Sequence, residues 1–377
     1  AELDYELSGN IEGELRFFPS DEPGLKEFNA SISIDPILEM FFGRDHSLTL
    51  NPYFRADQND GRRTHFDLRQ LKWIGTFGDW EVRLGVDKVF WGVTESVHLV
   101  DIINQDDAVE DIDGEDKLGQ PMASVSYWSD IGTFTLYVMP YFRERTFAGR
   151  DGRPQGPLFV DTKNPVYDSG SNQWHLDWAL RYKRFFGAFD VGLSYFRGIN
   201  RDPDFLPGLG EGGEPVLRPF YDTIDQVGVD VQATFGAWLL KFEGITRKGD
   251  VEERFFSFAA GFEYTFFQVF GSDADIGVLA EYLYDDRGEA APLPTESDLF
   301  FGLRWEGNDI KTTRILGGMI FDLDSQAKFG FLEASRRLGG RWRVSVEARF
   351  FIDVPPQDPL FFFRRDDFVQ LRLARFF

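Results

Sequence analysis

Polar and apolar positions alternate along this chain. In residues 342–350, Trp342, Val344, Val346, Ala348 and Phe350 take one parity, and Arg343, Ser345, Glu347 and Arg349 take the other. A strand turns successive side chains to opposite faces, so this segment has one apolar face and one charged face. The rhythm recurs along nearly the whole chain, with aromatics at the segment ends. That combination predicts an all-β fold: a transmembrane antiparallel β-barrel with lipid outside and an aqueous lumen within.

Taken in order, a first strand runs from about Tyr5 to Phe17. Tyr5, Leu7, Ile11, Leu15 and Phe17 share one face; Glu6, Ser8, Asn10, Glu12, Glu14 and Arg16 share the other. Residues 19–24 read as a turn. The second strand alternates from Phe28 to Ile34, and Asp35-Pro36 is expected to interrupt it, because proline offers no N–H to a ladder. In the fourth, apolar parity switches between Leu68 and Leu71, which predicts a β-bulge near Gln70. The seventh carries apolar residues from Phe134 to Phe142, and the eighth is marked by Trp174, Leu176, Trp178, Leu180 and Tyr182. The pattern ends in Val369, Leu371, Leu373 and Phe377. The count is about 18 strands, with 16 as the alternative, because strands two, three, fifteen and sixteen are weakly patterned.

Short and long connections alternate from the fourth strand onward. The long ones fall at about 92–121, 146–172 and 200–224. Outer-membrane barrels have short periplasmic turns and long extracellular loops, so the expectation is one barrel domain spanning 1–377 with both termini at the periplasmic side. A barrel of this size leaves an aqueous channel unless loops fold inward. The terminal Phe377, with alternating apolar residues before it, resembles the C-terminal signature of outer-membrane barrels read by the barrel assembly machinery. Arg375 departs from that signature.

Composition agrees. Of 377 residues 42% are hydrophobic, and Phe alone supplies 41, which suits a lipid-facing band with aromatic girdles. No apolar run is long enough for a transmembrane helix. Cysteine is absent, which excludes disulfides, thiolate metal sites and thiol nucleophiles. Strand patterning begins by Asp4, which reads as a mature chain from which an export signal has been removed. The net charge of −23 argues against nucleic acid as a partner.

The most distinctive stretch is Arg83–Gly92, a strand ending in Trp91-Gly92, followed by Asp101-Ile102-Ile103-Asn104-Gln105-Asp106-Asp107. This Trp-Gly strand end followed by an Asp-x-x-Asn-x-x-Asp loop resembles a little-characterised family of proteobacterial outer-membrane barrels, in which a similar strand precedes an Ile-Asn-Pro-x-Asp element. Gln105 stands where that family has proline. The resemblance covers residues 82–107. It implies an outer-membrane transport role in a Gram-negative cell, for lipids or other hydrophobic compounds. Trp91, Asp101, Asn104 and Asp107 are the candidates for a constriction or plug.

A second set of candidates lies on the lumen parity near closure. Arg304, Arg314, Arg343, Arg349 and Arg372 stand on late strands, and Glu6, Glu12 and Glu14 on the strand that must pair with the last. Either these charges face one another across the lumen and sort solutes by charge, or they pair with neighbours and hold the wall together. Asp111, Asp113 and Asp116 surround Gly114 with the hard-oxygen ligands that Ca²⁺ takes, although the full EF-hand pattern is missing. Catalysis has little support. His175 and Asp177 share a strand face, but no nearby Ser completes a triad, and Gly-x-Ser-x-Gly and His-Glu-x-x-His motifs are missing.

The expectation is therefore a porin-like, non-enzymatic channel for small solutes. The alternative is a conduit or docking barrel for hydrophobic compounds. Expected partners are outer-membrane lipid and lipopolysaccharide, the barrel assembly machinery during biogenesis, and either a homo-oligomer or a periplasmic transport partner.

Overall fold

The computed structural model describes residues 3–20, 24–291 and 296–377. The Ala1-Glu2 start and residues 21–23 of the expected first turn lie outside them. The strands are β1 Leu3–Phe17, β2 Phe28–Phe42, β3 His46–Asp57, β4 His65–Phe77, β5 Trp80–Asp87, β6 Gln120–Ser129, β7 Gly132–Met139, β8 Val166–Tyr167, β9 Asp177–Phe186, β10 Phe189–Ile199, β11 Asp204–Leu209, β12 Pro215–Tyr221, β13 Thr223–Phe235, β14 Trp238–Gly249, β15 Phe255–Phe266, β16 Asp275–Asp285, β17 Ser297–Glu306, β18 Arg314–Asp322, β19 Lys328–Leu338, β20 Trp342–Ile352 and β21 Phe368–Phe376. Eighteen of them form one antiparallel sheet; β8, β11 and β12 form a separate three-stranded sheet in the long loops. The large sheet closes on itself where β1 pairs with β21, from Asn10 opposite Phe376 to Phe17 opposite Val369. The fold is thus a closed 18-stranded barrel, the larger of the two expected counts. No described helix is long and apolar enough to cross a membrane.

The alternating pattern determines which face turns out. Tyr5, Leu7, Phe66, Leu84, Leu193, Phe301 and Leu371 are exposed on the outer wall. An apolar belt around the whole barrel far exceeds the roughly 300–600 Å² patch of a soluble monomer, so hydrocarbon is its medium. At the short-turn end the aromatics join into a girdle. Trp80 lies 4.6 Å from Tyr127, Phe134 4.9 Å from Tyr182, Phe189 5.7 Å from both Phe186 and Phe235, and Trp238 4.7 Å from Tyr264. Arg375 also faces outward at this end, its guanidinium 5.8 Å from the Trp342 ring centre. A cation can reach headgroups from that level, which explains how the apolar signature tolerates it.

The bulge lies one residue from its expected place. Asn51 pairs with Gln70 and Pro52 with Leu68, which leaves Arg69 as the extra residue. Arg69 and Gln70 consequently both turn inward, reaching Asp35 at 3.1 Å and Asp87 at 2.8 Å.

Three expectations are corrected. First, β2 runs unbroken through Asp35-Pro36. The ladder to β3 lapses only between Ile34 and Leu38, and the Asn51 amide donates to Asp35 and to the Pro36 carbonyl in that gap. Opposite Pro36 sits Gly9 at φ 148°, where a Cβ would lie 2.5 Å from the Asp35 carbonyl oxygen. Second, β7 ends at Met139; Phe142 is not on the lipid face but buried with Ile199 and Tyr221 under the loops. Third, Trp174 belongs to a short 3-10 turn, and β9 begins at Asp177. The long connections are accordingly 88–119, 140–176 and 200–222.

Candidate functional site: a segment inserted into the lumen

After Asp87 the chain leaves β5 and turns into the barrel, rejoining the wall at Gln120. Val100, Ile102 and Ile103 are fully buried against inward-facing Met122, Met139, Ala179, Phe196, Ile224 and Ile245. Val97 and Leu99 pack on a second inner-wall cluster of Leu279, Leu283, Phe300 and Ile320. Apolar residues on the lumen parity therefore have a partner, and hydrophobic burial seats the segment.

Its backbone polar groups are satisfied by carboxylates of the wall. Glu243 on β14 accepts from the Val93 and Thr94 N–H groups at 2.6 and 3.0 Å, from the Thr94 hydroxyl at 2.8 Å and from the Val100 N–H at 3.2 Å. Glu281 on β16 accepts from the Glu95 and Ser96 N–H groups at 2.8 and 2.9 Å and from the Ser96 hydroxyl at 2.6 Å. Gly92 makes the first approach feasible. Its φ is 153°, and a Cβ there would lie 2.9 Å from His98 Nδ1 and 3.1 Å from Glu243 Oε1.

The Trp-Gly and Asp-x-x-Asn-x-x-Asp residues all lie in this seat. Trp91 is buried edge-on to Tyr137, with the Arg181 guanidinium 4.9 Å from its ring centre. Asp101 accepts from the Trp91 N–H and pairs with Lys117 at 3.2 Å. Asn104 clamps the two ends of the insertion: it accepts from the Val89 N–H and donates to the Asp87 and Leu118 carbonyls. Asp107 accepts from the Thr146 hydroxyl at 2.8 Å. The motif is thus the folding code of the insertion.

The eight charge candidates all take the lumen parity, in two settings. Glu6 lies exposed near the short-turn end, opposite Glu39. Glu12 and Glu14 pair with Arg372 on the adjacent strand at 3.8 and 3.2 Å, and Glu14 also pairs with Arg55 and Arg63. Arg372 and Arg55 are wall residues and Arg63 belongs to the β3–β4 connection, and Arg372 also reaches Asp111 of the inserted segment at 3.8 Å. Arg304 and Arg349 also face the inserted segment, reaching Glu95 and Asp113, each at 2.7 Å. Arg314 pairs with Glu306 at 3.0 Å, and Arg343 stacks on Phe376.

Between the segment and the β15–β21 wall lies a cavity of about 1070 Å³. Its lining includes Asp202 and Arg287 near the long-loop rim and Glu306, Arg314 and Arg343 near the short-turn end. The inserted segment supplies Asp106, Asp111, Asp113, Glu115 and Asp116, and the wall supplies Arg304, Arg349 and Arg372. Asp111, Asp113 and Asp116 do not converge on one point: their nearest cations are Arg16 at 3.7 Å, Arg349 at 2.7 Å and Arg69 at 4.0 Å. Burial and the neighbouring Asp111 push the Asp113 carboxyl up to about 8 against the pull of Arg349. Burial alone would lower His98, but Glu115 and Glu243 on either side raise it to about 10.

The composition of the other wall was not anticipated. Phe329, Phe331, Phe351 and Phe363 line the same cavity, with Phe329–Phe351 centres 5.3 Å apart and Phe351–Phe363 5.8 Å apart. Glu243, Glu281, Arg55 and Arg63 were also missed, and Arg16 was placed on the polar face but not singled out; strand parity flags Glu243, Glu281 and Arg55 as inward, whereas Arg63 lies in the β3–β4 connection, where parity does not apply. His175 does reach Asp177 at 2.7 Å, but Asp177 also takes Arg201 at 2.6 Å and the Ile199 N–H, so the pair is built into the wall.

Neither a protein-family model nor a curated protein matches the sequence. Among solved structures, the chain is similar to Wzi of Escherichia coli, an outer-membrane protein involved in group 1 capsule assembly and a carbohydrate-binding β-barrel. The TM-score is 0.53 at 8% identity, over 97% of this chain and 84% of that one. A loop L8 deletion mutant of OmpT, an outer-membrane protein of Vibrio cholerae, aligns at TM-score 0.49 and 10% identity over 100% and 99% of the two chains. A mutant form of the Rh. blastica porin aligns at 0.49 and 10% over 99% and 100%. The Wzi likeness shows a shared outer-membrane barrel fold. At 8% identity it shows the fold alone.

Proposed function

We propose that the protein is a passive outer-membrane channel for small solutes, with residues 88–119 as its constriction. The observation that carries this reading is the cavity beside the inserted segment, which has charged residues along its length and lining residues near both ends of the barrel. Carboxylates of the segment and arginines of the wall border it, so a field crosses the path and sorts solutes by charge and dipole. Single-channel recording in planar bilayers tests the proposal. The expected result is stable conductance that rises when residues 93–116 are replaced by a short Gly-Ser linker. A barrel that stays silent in both forms refutes it.

The apolar side of the cavity favours a second reading, in which the solute is hydrophobic or amphipathic. Phe329, Phe331, Phe351, Leu316 and Ile320 line it together with Val97 and Leu99 of the segment. Such a wall binds an apolar body while the arginines hold an anionic group. Purification in a mild detergent followed by mass spectrometry separates the two: co-purified amphiphile supports the second reading, and its absence together with ohmic conductance supports the first.

A further inference from the structure

Asp107 and Glu110 of the inserted segment meet His65, the first residue of β4, at a point outside the large cavity. His65 Nε2 lies 3.4 Å from Asp107 Oδ2 and 3.6 Å from Glu110 Oε1. Asp107 is 1% exposed, and among the described residues neither its Oδ2 nor His65 Nε2 has a hydrogen-bond partner, although both atoms are shielded from solvent. The other ring nitrogen, Nδ1, lies 3.0 Å from the Arg63 carbonyl. A carbonyl only accepts, so Nδ1 carries a proton and, in the neutral ring, Nε2 presents a bare lone pair. That lone pair then points at two carboxylate oxygens, and three acceptors face one another in a buried space. Something positive has to sit between them.

The surroundings suit an ion. Asp107 Oδ1 is fixed by the Thr146 hydroxyl at 2.8 Å, which aims Oδ2 inward. Glu110 Oε2 accepts from Tyr53 at 2.8 Å and pairs with Arg55 at 2.8 Å, and Oε1 accepts from Arg55 Nε at 3.0 Å. Each ligand is thus oriented by an outer partner, as metal-binding histidines and carboxylates are. The spacing is also right. A tetrahedral ion with bonds of about 2.1 Å has ligand–ligand edges of about 3.4 Å. One imidazole with two carboxylates suits Zn²⁺ and its first-row neighbours better than Ca²⁺, which takes more oxygens.

We propose that His65, Asp107 and Glu110 bind one divalent transition-metal ion, with a fourth position left for water. The ion would staple the inserted segment to the start of β4 and so fix one side of the constriction. The alternative is a shared proton, with His65 as an imidazolium between the two carboxylates.

The test uses the full barrel in detergent, stripped with a chelator and titrated with Co²⁺ and then Zn²⁺. The expected result is one equivalent of Co²⁺ with the visible absorption of a nitrogen- and oxygen-ligated ion, displaced by Zn²⁺. His65→Gln and Asp107→Asn should each weaken binding by more than about 100-fold, the upper range for loss of an outer-shell partner alone. His175→Gln should leave it unchanged. Unaltered binding in His65→Gln overturns the proposal, as does failure of the unmodified chain to bind one equivalent saturably. If His65→Gln does not reach the folded, heat-modifiable form, histidine NMR of the unmodified chain decides. A Zn²⁺-dependent shift confined to one of the four rings supports the site, and rings that respond to pH but not to Zn²⁺ refute it.

Discussion

Glu243 is the most demanding test of how the constriction is held. Its side chain is wholly buried and takes four hydrogen bonds from residues 93–100, three of them on Oε1. Glu243→Gln keeps the shape. With the amide oxygen placed at Oε1, the three contacts there persist, but each loses its charge assistance, which roughly halves such bonds. The amide nitrogen then faces the Val100 N–H, donor against donor. Three weakened bonds at about 1 kcal/mol each and one unsatisfied buried donor at about 1–3 kcal/mol give a cost of about 4–6 kcal/mol. The loss falls on seating of the segment, because β14 keeps its ladders to β13 and β15.

At about 1.4 kcal/mol per tenfold, the released population should rise by at least about 100-fold, even if relaxation recovers a third of the cost. The absence of cysteine supplies the assay. A single Val100→Cys, at a fully buried position, reacts with a thiol reagent only when the segment opens, so its labelling rate reports the opening equilibrium. Glu243→Gln in that background should label at least about 100-fold faster, with the barrel's heat-modifiable migration unchanged. A rise of less than about fivefold would show that apolar burial of Val100, Ile102 and Ile103 seats the segment by itself.

Other expectations follow from the same geometry. His98 is raised above its unfolded value by Glu115 and Glu243, so its contribution to seating is complete below about pH 6.5 and is lost as pH rises through about 10. Thiol labelling in the Val100→Cys background, divided at each pH by the rate for the exposed thiolate, should therefore climb over that window, and His98→Gln should flatten the climb. Asp113 loses its proton near pH 8 and then adds a negative charge to the cavity, so reversal potentials should shift toward cation selectivity between about pH 7 and 9. Asp113→Asn should diminish the shift. Arg349→Ala removes the cation that Asp113 and Glu333 share, at 2.7 and 3.0 Å, and should make the channel more cation-selective at every pH. Gly92→Ala should raise labelling of the same introduced thiol by about 10-fold or more, since a left-handed φ and a close carboxylate both oppose a methyl group.

How much of this was legible in the sequence depends on what each residue faces. Lipid is uniform, so an outward residue needs only to be apolar, and parity along Trp342–Phe350 or Tyr5–Phe17 was enough to orient those strands. Even the bulge could be read, because one extra residue flips every side chain that follows and the switch between Leu68 and Leu71 records it. The lumen is different, because an inward residue takes its meaning from a partner far away in sequence. Glu243 and Glu281 alternate like any water-facing glutamate; nothing nearby says that they cap the N–H groups of residues 93–100. Phe329, Phe331 and Phe351 share strands with outward apolar residues, so they read as excess hydrophobicity until the barrel closes. The Asn104 clamp sits between these cases. Its spacing from Trp91 made it recognisable, but its three backbone partners at 87, 89 and 118 emerge only when the insertion folds back on itself. Pro36 failed for a related reason. A proline ends a strand only where its missing N–H is needed, and here Gly9 on one side and the Asn51 amide on the other remove the need. The wall of such a barrel can be read from alternation because its solvent is the partner. Its interior cannot, because there the protein is both solvent and solute.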